Sequence, residues 1–461
     1  MHFDAALVRK YDQFGPRYTS YPTALQFSTH FDARCGADTL SVSNRADAPP
    51  ISLYIHVPFC ESPCFYCGCN KVITRDRERA WVYLAHLYLE IQAQAALLSK
   101  DRIVTQLHLG GGTPTYLSDT QLADLMRVLR QNFNMRTDGR QEYSIEIDPR
   151  TVSADRLSVL ASLGFNRISL GVQDLDLAVQ SAINRVQPPE TTFNLIDRAR
   201  SLAIHSVSID LIYGLPLQTL CSFSQTLDRI IEARPDRIAA YSYAHLPHAF
   251  KAQRQIRLED LPTPEVKLAL LEMTVEKLTA AGYVYVGMDH FALPHDELVQ
   301  AQLNSTLQRN FQGYSTHAHC DLIGLGVSAI SGFDRAYSQN HKSVGAYQRS
   351  VALGGFATER GVYLTDDDCV RRTVIQAIMC ASRVNYSEIE SRHKVRFVDY
   401  FQRELKQLEP LAYDGLVVLS PQALEVTGTG RLLLRSVAMI FDAYMHIKST
   451  ETAQPRFSRT V

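Results

Sequence analysis

Tyr54-Ile55-His56-Val57-Pro58-Phe59-Cys60-Glu61-Ser62-Pro63-Cys64-Phe65-Tyr66-Cys67-Gly68-Cys69 is the stretch around which the chain is organised. An apolar segment runs straight into a loop that carries Cys60, Cys64 and Cys67 at C-x-x-x-C-x-x-C spacing. Thiolates this close on one loop can converge on a metal or an iron–sulfur cluster. Three are one short of the four that close a tetrahedral zinc site or an all-cysteine cluster. A four-iron cluster held by three cysteines keeps one iron open for a substrate or cofactor. Cys69 is a candidate fourth ligand, but a single residue, Gly68, separates it from Cys67, which is tight for two ligands on one cubane. A zinc knuckle and unrelated structural thiols are the alternatives. Zinc motifs bring paired C-x-x-C units or nearby histidines, and the next cysteine after Cys69 is Cys221.

The 461 residues suffice for two or three domains with a large core. Apolar content is 46% and charged content 21%, ordinary for a globular protein. Lys+Arg is 47 against Asp+Glu 48, so no global field favours nucleic acid or an anionic membrane. No apolar run is long enough to span a bilayer, and the N-terminus has no signal-peptide layout. Nine cysteines, four of them packed into one short stretch, do not suggest a disulfide framework in a chain this size. These features predict a cytoplasmic protein with no nucleic-acid or membrane partner.

Outward from the cysteine loop the text alternates strand and helix. Ile51–Val57 reads as a buried strand, and a helix over about Glu78 to Leu98 carries Leu84, Leu87, Tyr88 and Ile91 on one face. Val104 to Leu109 is the next strand, ending in Gly110-Gly111-Gly112. Ser118 with Gln121 three residues on is a capping box, and Leu122, Leu125, Met126, Leu129 and Phe133 form the buried stripe behind it. Strands are expected at Tyr143–Ile147, Arg167–Leu170, Val207–Ile212 and Arg237–Tyr243. Helices are expected at Ser153–Leu163, Asp176–Ile183, Thr191–Leu202, Thr219–Ala233 and Thr263–Ala281. Such alternation implies a parallel sheet with helices outside, and about six repeats suggest an incomplete barrel. Sites in such sheets form at the carboxyl ends of the strands. The cysteine loop, the glycine run, Glu146 and Asp210 all fall near strand ends.

Residues 1–50 read as an N-terminal arm, in which Arg17-Tyr18-Thr19-Ser20-Tyr21-Pro22-Thr23 either packs on the surface or acts as a lid near the site. The βα rhythm fills 51–360. Residues 361–461 read as a mostly helical C-terminal domain. Its expected helices are Asp367–Ser382 and Phe397–Leu408, followed by a hairpin within Tyr413–Arg431, a final helix Leu432–His446 and a polar tail after Lys448.

Single residues carry further chemistry. Glycines let backbone approach a ligand closely. The run at Gly110 to Gly112 can be a ligand cradle or only a bend, and with no Lys-Ser/Thr following it is not a P-loop. Glu146, ending a buried strand, is either functional or a paired structural acid. Asp210 is flanked by Ile209 and Leu211. Arg185 has a solvated surface arginine as its alternative, and Cys69 a buried thiol. His317-x-His319-Cys320 is too compact for all three side chains to reach one ion, and reads as pocket wall.

The string Tyr54 to Cys60, the aromatic Tyr66 before Cys67, and Cys67-Gly68-Cys69-Asn70 resemble the oxygen-independent coproporphyrinogen III oxidases (dehydrogenases) of the radical S-adenosylmethionine (SAM) superfamily. The likeness continues through Gly110-Gly111-Gly112-Thr113-Pro114-Thr115-Tyr116-Leu117, Gly171-Val172-Gln173-Asp174, Asp210-Leu211-Ile212-Tyr213-Gly214-Leu215-Pro216 and Asn310-Phe311-Gln312-Gly313-Tyr314, over most of the chain. It implies an α/β fold: a partial (β/α)6 radical SAM barrel with the N-terminal arm and the mostly helical C-terminal domain.

It also implies a 4Fe-4S cluster on Cys60, Cys64 and Cys67, whose open iron binds SAM, and two SAM molecules in the site. Tyr54, Gly111 and Glu146 would go with the cluster-bound SAM. Gly112, Thr113, Gln173, Arg185, Asp210, Ala244 and Ile330 would go with the second. Cys69 matches the family's additional cysteine, with an auxiliary catalytic role. The related haem-chaperone branch typically lacks both this cysteine and the Arg-Tyr-Thr-Ser-Tyr-Pro arm. The implied reaction decarboxylates two propionates of coproporphyrinogen III to vinyl groups through a 5′-deoxyadenosyl radical, giving protoporphyrinogen IX in haem biosynthesis. A low-potential electron donor of flavodoxin or ferredoxin type, an unnamed electron acceptor and a monomeric enzyme complete the expectation. Arg17 and Arg309 are candidate partners for the substrate carboxylates. A haem-delivery protein and an electron carrier without SAM are the competing classes.

Overall fold

The first strand is buried on both faces along almost its whole length, as expected of a strand inside a parallel sheet. This β1, Ile51–Val57, pairs in parallel with β2, Ile103–Gly111. In this computed structural model, which describes residues 3–45, 47–202, 204–317, 319–446, 457 and 459, the chain divides into two compact units. One contains Gln26–Leu270 and His319–Tyr363; the other contains Met1–Leu25, Leu271–Ala318 and Leu364–Val461.

The larger unit is built on the alternation that the sequence announces. After β1 and β2 come β3 (Glu142–Ile147), β4 (Arg167–Gln173), β5 (Ser206–Tyr213) and β6 (Arg237–Ser242), each parallel to its predecessor. On the other side of β1 lies β7 (Asp321–Leu325), also parallel. β8 (Ile330–Phe333), β9 (Ala336–Asn340) and β10 (Thr358–Tyr363) then continue antiparallel. The order β6-β5-β4-β3-β2-β1-β7-β8-β9-β10 is open rather than closed, the partial barrel that six βα repeats lead one to expect.

The linking helices are α1 (Glu78–Ala96), α2 (Asp119–Asn132), α3 (Ala154–Ser162), α4 (Leu177–Ala182), α5 (Pro189–Ser201) and α6 (Leu220–Ala233). α2 starts as read: the Ser118 hydroxyl accepts from the Gln121 amide, and the Gln121 side chain accepts from the Ser118 amide. Leu122, Leu125, Met126 and Leu129 are fully buried, each contributing about 1.5–3 kcal/mol.

The smaller unit has its own core, in which Phe397, Phe401 and Phe441 are fully buried. Its helices include Asp366–Ala381, Tyr386–His393, Gln402–Tyr413 and Leu434–Ile440. The hairpin Val417–Leu419 with Ala423–Val426 gains a third strand, Arg383–Asn385, which the sequence reading missed because three residues carry no period. The expected single helix Leu432–His446 is instead a 3-10 turn Gly430–Leu433, the helix Leu434–Ile440 and a second turn Ala443–His446. The break serves the arm. Tyr18 donates to Asp442 Oδ2 at 3.0 Å, and the Ala443 amide donates to Tyr21 Oη at 3.1 Å. Tyr18 and Tyr21 are both 1% exposed, so this part of the arm is core rather than a surface strap. The tail after Lys448 lies outside the described residues, apart from single positions at 457 and 459. Among the described residues no helix is long and apolar enough to cross a membrane.

Candidate active site

The cysteine loop leaves β1 and is pinned at both ends. Phe59–Cys60 pairs in parallel with Val72–Ile73, and His56 Nε2 meets the Asn70 carbonyl at 2.9 Å. Between these points the Phe65 amide donates to Ile183 O (2.9 Å), Asn184 to Pro63 O (2.7 Å) and Gln253 to Tyr66 O (2.9 Å). Phe65 and Tyr66 pack on a small apolar cluster that includes Val179, Ile183, Ile212 and Leu215. The aromatic residues between the cysteines are therefore the anchors that hold the loop over the strand ends.

Beneath the loop is a cavity of about 420 Å³, within the range of small-molecule sites. Cys60, Cys64, Cys67 and Cys69 line it, together with Gly111, Gly112, Thr113, Glu146, Gln173, Arg185 and Asp210. Five strands, β1 to β5, thus deliver residues from or just beyond their carboxyl ends to one space, as a parallel sheet requires. Tyr54, Ala244 and Ile330 do not line it. Tyr54 stacks on His108 with ring centroids 5.8 Å apart and bonds His56 Nδ1 at 3.0 Å. Ala244 follows β6 and accepts from Gln253, and Ile330 opens β8 with its backbone against Gly324.

The glycine run has a cause inside the protein. A methyl on Gly110 would stand 2.8 Å from Glu146 Oε1, one on Gly111 2.7 Å from the His56 ring, and one on Gly112 2.8 Å from the Phe59 carbonyl oxygen. Gly111 also has φ +118°, a backbone state that side chains resist. Close packing of three elements therefore demands glycine, and the same run forms cavity wall.

Glu146 accepts from the Gly111 amide (3.1 Å) and meets His108 Nε2 at 3.1 Å. Burial pushes its carboxyl up, but the hydrogen bond and charge of His108, with the Gly111 amide, outweigh that and hold it below the ordinary range. Asp210 goes the other way. Burial first, and then the Glu146 charge, push it up to about 7, although Ser169 donates to it at 3.2 Å. Two carboxyls of opposite tendency face one cavity, so one is held ionised and the other sits near neutral-pH titration.

Among the thiols, burial pushes Cys60 up to about 11. A hydrogen bond between Cys67 and Cys69 holds Cys67 below the usual thiol range and pushes Cys69 above it. Among the described residues no three His, Cys, Asp or Glu side chains draw close enough to hold a single metal ion. Three thiols spread around one cavity, with basic groups beside them, suit a larger multi-iron group instead.

Arg185 is not a solvated surface residue. It is 6% exposed and its guanidinium pairs with Asp148 at 3.0 Å. Asp148, Arg150, Ser169, Gly171, Lys71 and Tyr241 also line the cavity and were not singled out from the sequence. Asp148 directly follows the strand that holds Glu146, and Tyr241 lies near the end of the strand expected at Arg237–Tyr243, so both positions carry a signal; Lys71 has none. Arg17 and Arg309 are both engaged inside the smaller unit. Arg17 pairs with Asp289, and Arg309, 3% exposed, donates to the Arg17 carbonyl at 3.0 Å.

The radical SAM superfamily model matches residues 54–230, which hold the cysteine loop and the first five strands, and the HemN C-terminal domain model matches 364–433. An oxygen-independent coproporphyrinogen III oxidase of Pseudomonas aeruginosa is 49% identical over 461 residues, covering 100% of this chain and 99% of its own. The chain belongs to the oxygen-independent coproporphyrinogen III oxidase family. The Escherichia coli member is 48% identical over 459 residues, and that of Synechocystis 41% over 465. The solved structure of coproporphyrinogen III oxidase (HemN) from Escherichia coli, described as a radical SAM enzyme, superposes with a TM-score of 0.92 at 47% identity, covering 96% of this chain and 99% of that one. Membership in this family makes the chain an oxidoreductase with the radical SAM fold.

Proposed function

We infer that this chain converts two propionate side chains of coproporphyrinogen III to vinyl groups without oxygen, giving protoporphyrinogen IX in haem biosynthesis. One observation carries the reading: three loop thiols open onto a cavity with Glu146 and Asp210, in a chain 49% identical end to end with an oxidase of that name. The superfamily brings a 4Fe-4S cluster and SAM, and Cys60, Cys64 and Cys67 would hold the cluster. When bound, the two together supply a 5′-deoxyadenosyl radical able to take a hydrogen from a propionate β-carbon.

The chain's own residues bind, orient and exclude water. Glu146, ionised and fixed by the Gly111 amide and His108, suits the cationic methionine end of SAM, beside Gly111 and Tyr54. A second SAM would be held by Gly112, Thr113, Gln173, Arg185, Asp210, Ala244 and Ile330. Cys69 lines the same cavity, which supports an auxiliary role for it. We assign a low-potential donor of flavodoxin or ferredoxin type, a monomeric state and a cytoplasmic location to the same reading. Haem delivery has no structural observation in its favour.

The test is anaerobic reconstitution followed by incubation with SAM, a reductant and coproporphyrinogen III. Protoporphyrinogen formed together with 5′-deoxyadenosine and methionine is the expected result. SAM cleavage without decarboxylation would point to another substrate, and haem binding without SAM cleavage would overturn the reading.

A further inference from the structure

Cys64 differs from the other two loop thiols in what its sulfur touches. Arg150 Nη2 lies 3.6 Å from Cys64 Sγ and Arg185 Nη1 lies 3.4 Å from it. Both guanidiniums are fixed by one carboxylate: Asp148 Oδ2 takes Arg150 at 2.7 Å and Arg185 at 3.0 Å. The second arm of Arg185 donates to the Gly171 carbonyl at 2.6 Å, so its head is clamped from two sides. Cys60 Sγ lies 3.8 Å from the Thr113 hydroxyl, and Cys67 Sγ accepts the Cys69 amide at 3.5 Å. Lys71, a single cation, reaches the Cys67 carbonyl at 3.0 Å and also bonds the Cys67 side chain, so Cys64 is the sulfur that faces two cations. Two cations and one anion leave a net positive charge against the Cys64 sulfur, at a residue 8% exposed.

We propose that the Asp148-anchored pair Arg150 and Arg185 raises the reduction potential of a cluster bound through Cys64. The inference rests on the reading of Cys60, Cys64 and Cys67 as cluster ligands. One-electron reduction adds a negative charge to the cluster and its thiolates. Donors and positive charge at a ligand sulfur stabilise the more negative state, and net charge and hydrogen bonds to sulfur are established determinants of iron–sulfur potentials. Burial of Cys64 and Arg185 themselves weakens solvent screening of this contact. Arg150 is the positioning residue to test. Its removal leaves the Arg185–Asp148 pair in place, and its own side chain is 24% exposed, so substitution does not open the core.

The experiment uses the full chain, reconstituted anaerobically, with Arg150→Lys, Arg150→Gln and Arg150→Glu. The cluster midpoint is read by redox titration followed by electron paramagnetic resonance, which reports only cluster-bearing chains and so is independent of partial iron uptake. The expected order is wild type and Arg150→Lys highest, Arg150→Gln lower, Arg150→Glu lowest. Equal midpoints in the Gln and Glu variants and wild type overturn the proposal while leaving the ligand reading intact. A wild-type chain that forms no cluster, or a Cys64→Ser chain that keeps a full one, overturns the ligand reading and the proposal together.

Discussion

The Gly111 amide donates to Glu146 Oε2 at 3.1 Å, tying the end of β2 to the end of β3 and aiming a charged carboxylate into the cavity. A hydrogen bond to an ionised group is worth about 1.5–3 kcal/mol. Glu146→Gln keeps the shape and removes the charge. SAM affinity is expected to fall by roughly 10–100-fold, measured by equilibrium dialysis on cluster-loaded protein, with iron content unchanged. Unchanged SAM affinity would remove Glu146 from the binding site.

The four loop cysteines should separate by iron content. Cys60→Ser, Cys64→Ser and Cys67→Ser are each expected to abolish a stable reconstituted cluster, whereas Cys69→Ser keeps iron and sulfide at the wild-type level and loses turnover. A Cys69→Ser chain as iron-poor as Cys64→Ser would make Cys69 a ligand.

Gly112→Ala pushes a methyl to 2.8 Å from the Phe59 carbonyl oxygen, against backbone that has no side-chain freedom to yield. We expect destabilisation of about 1–3 kcal/mol, read from the urea midpoint of the cluster-free chain. Gly354→Ala, where no atom lies within 4 Å, is the comparison and should be neutral or slightly stabilising.

Glu90 lies fully buried on α1 and accepts from Asn340 (2.6 Å), Tyr347 (2.7 Å) and the Gly326 amide (2.7 Å). Burial pushes its carboxyl up to about 7 against those donors. Between the unfolded value near 4.5 and about 7 the folded chain holds a proton that the unfolded chain has lost. Stability should therefore be full below that window and fall by roughly 3 kcal/mol as pH rises through it. Urea unfolding from pH 4.5 to 8 tests the slope, and Glu90→Gln should make it shallower by that amount, leaving the part that Asp210, pushed up to about 7, contributes.

Tyr18→Phe removes one donor from the buried Asp442 carboxylate in the smaller unit. The expected loss is about 1.5–3 kcal/mol in the unfolding free energy of the chain. A variant as stable as wild type would show that the Tyr18 hydroxyl contributes nothing there.

Much of this protein is legible in its sequence. The cysteine spacing, the six βα repeats and the Ser118–Gln121 capping box follow from local pattern, because helix period, strand burial and caps are set by neighbours in sequence. Tertiary structure decided the rest. Whether Gly110, Gly111 and Gly112 must be glycine depends on Glu146, His56 and Phe59, which reach them across strands. Whether Arg185 is solvated or buried depends on Asp148, 37 residues away in the chain. The helix expected over Leu432–His446 breaks where Tyr18 and Tyr21 arrive from the other end of the chain. Local sequence fixes an element's type, but only the packed fold decides which distant charge or carbonyl stands beside a given side chain, and that proximity sets its ionisation and its role.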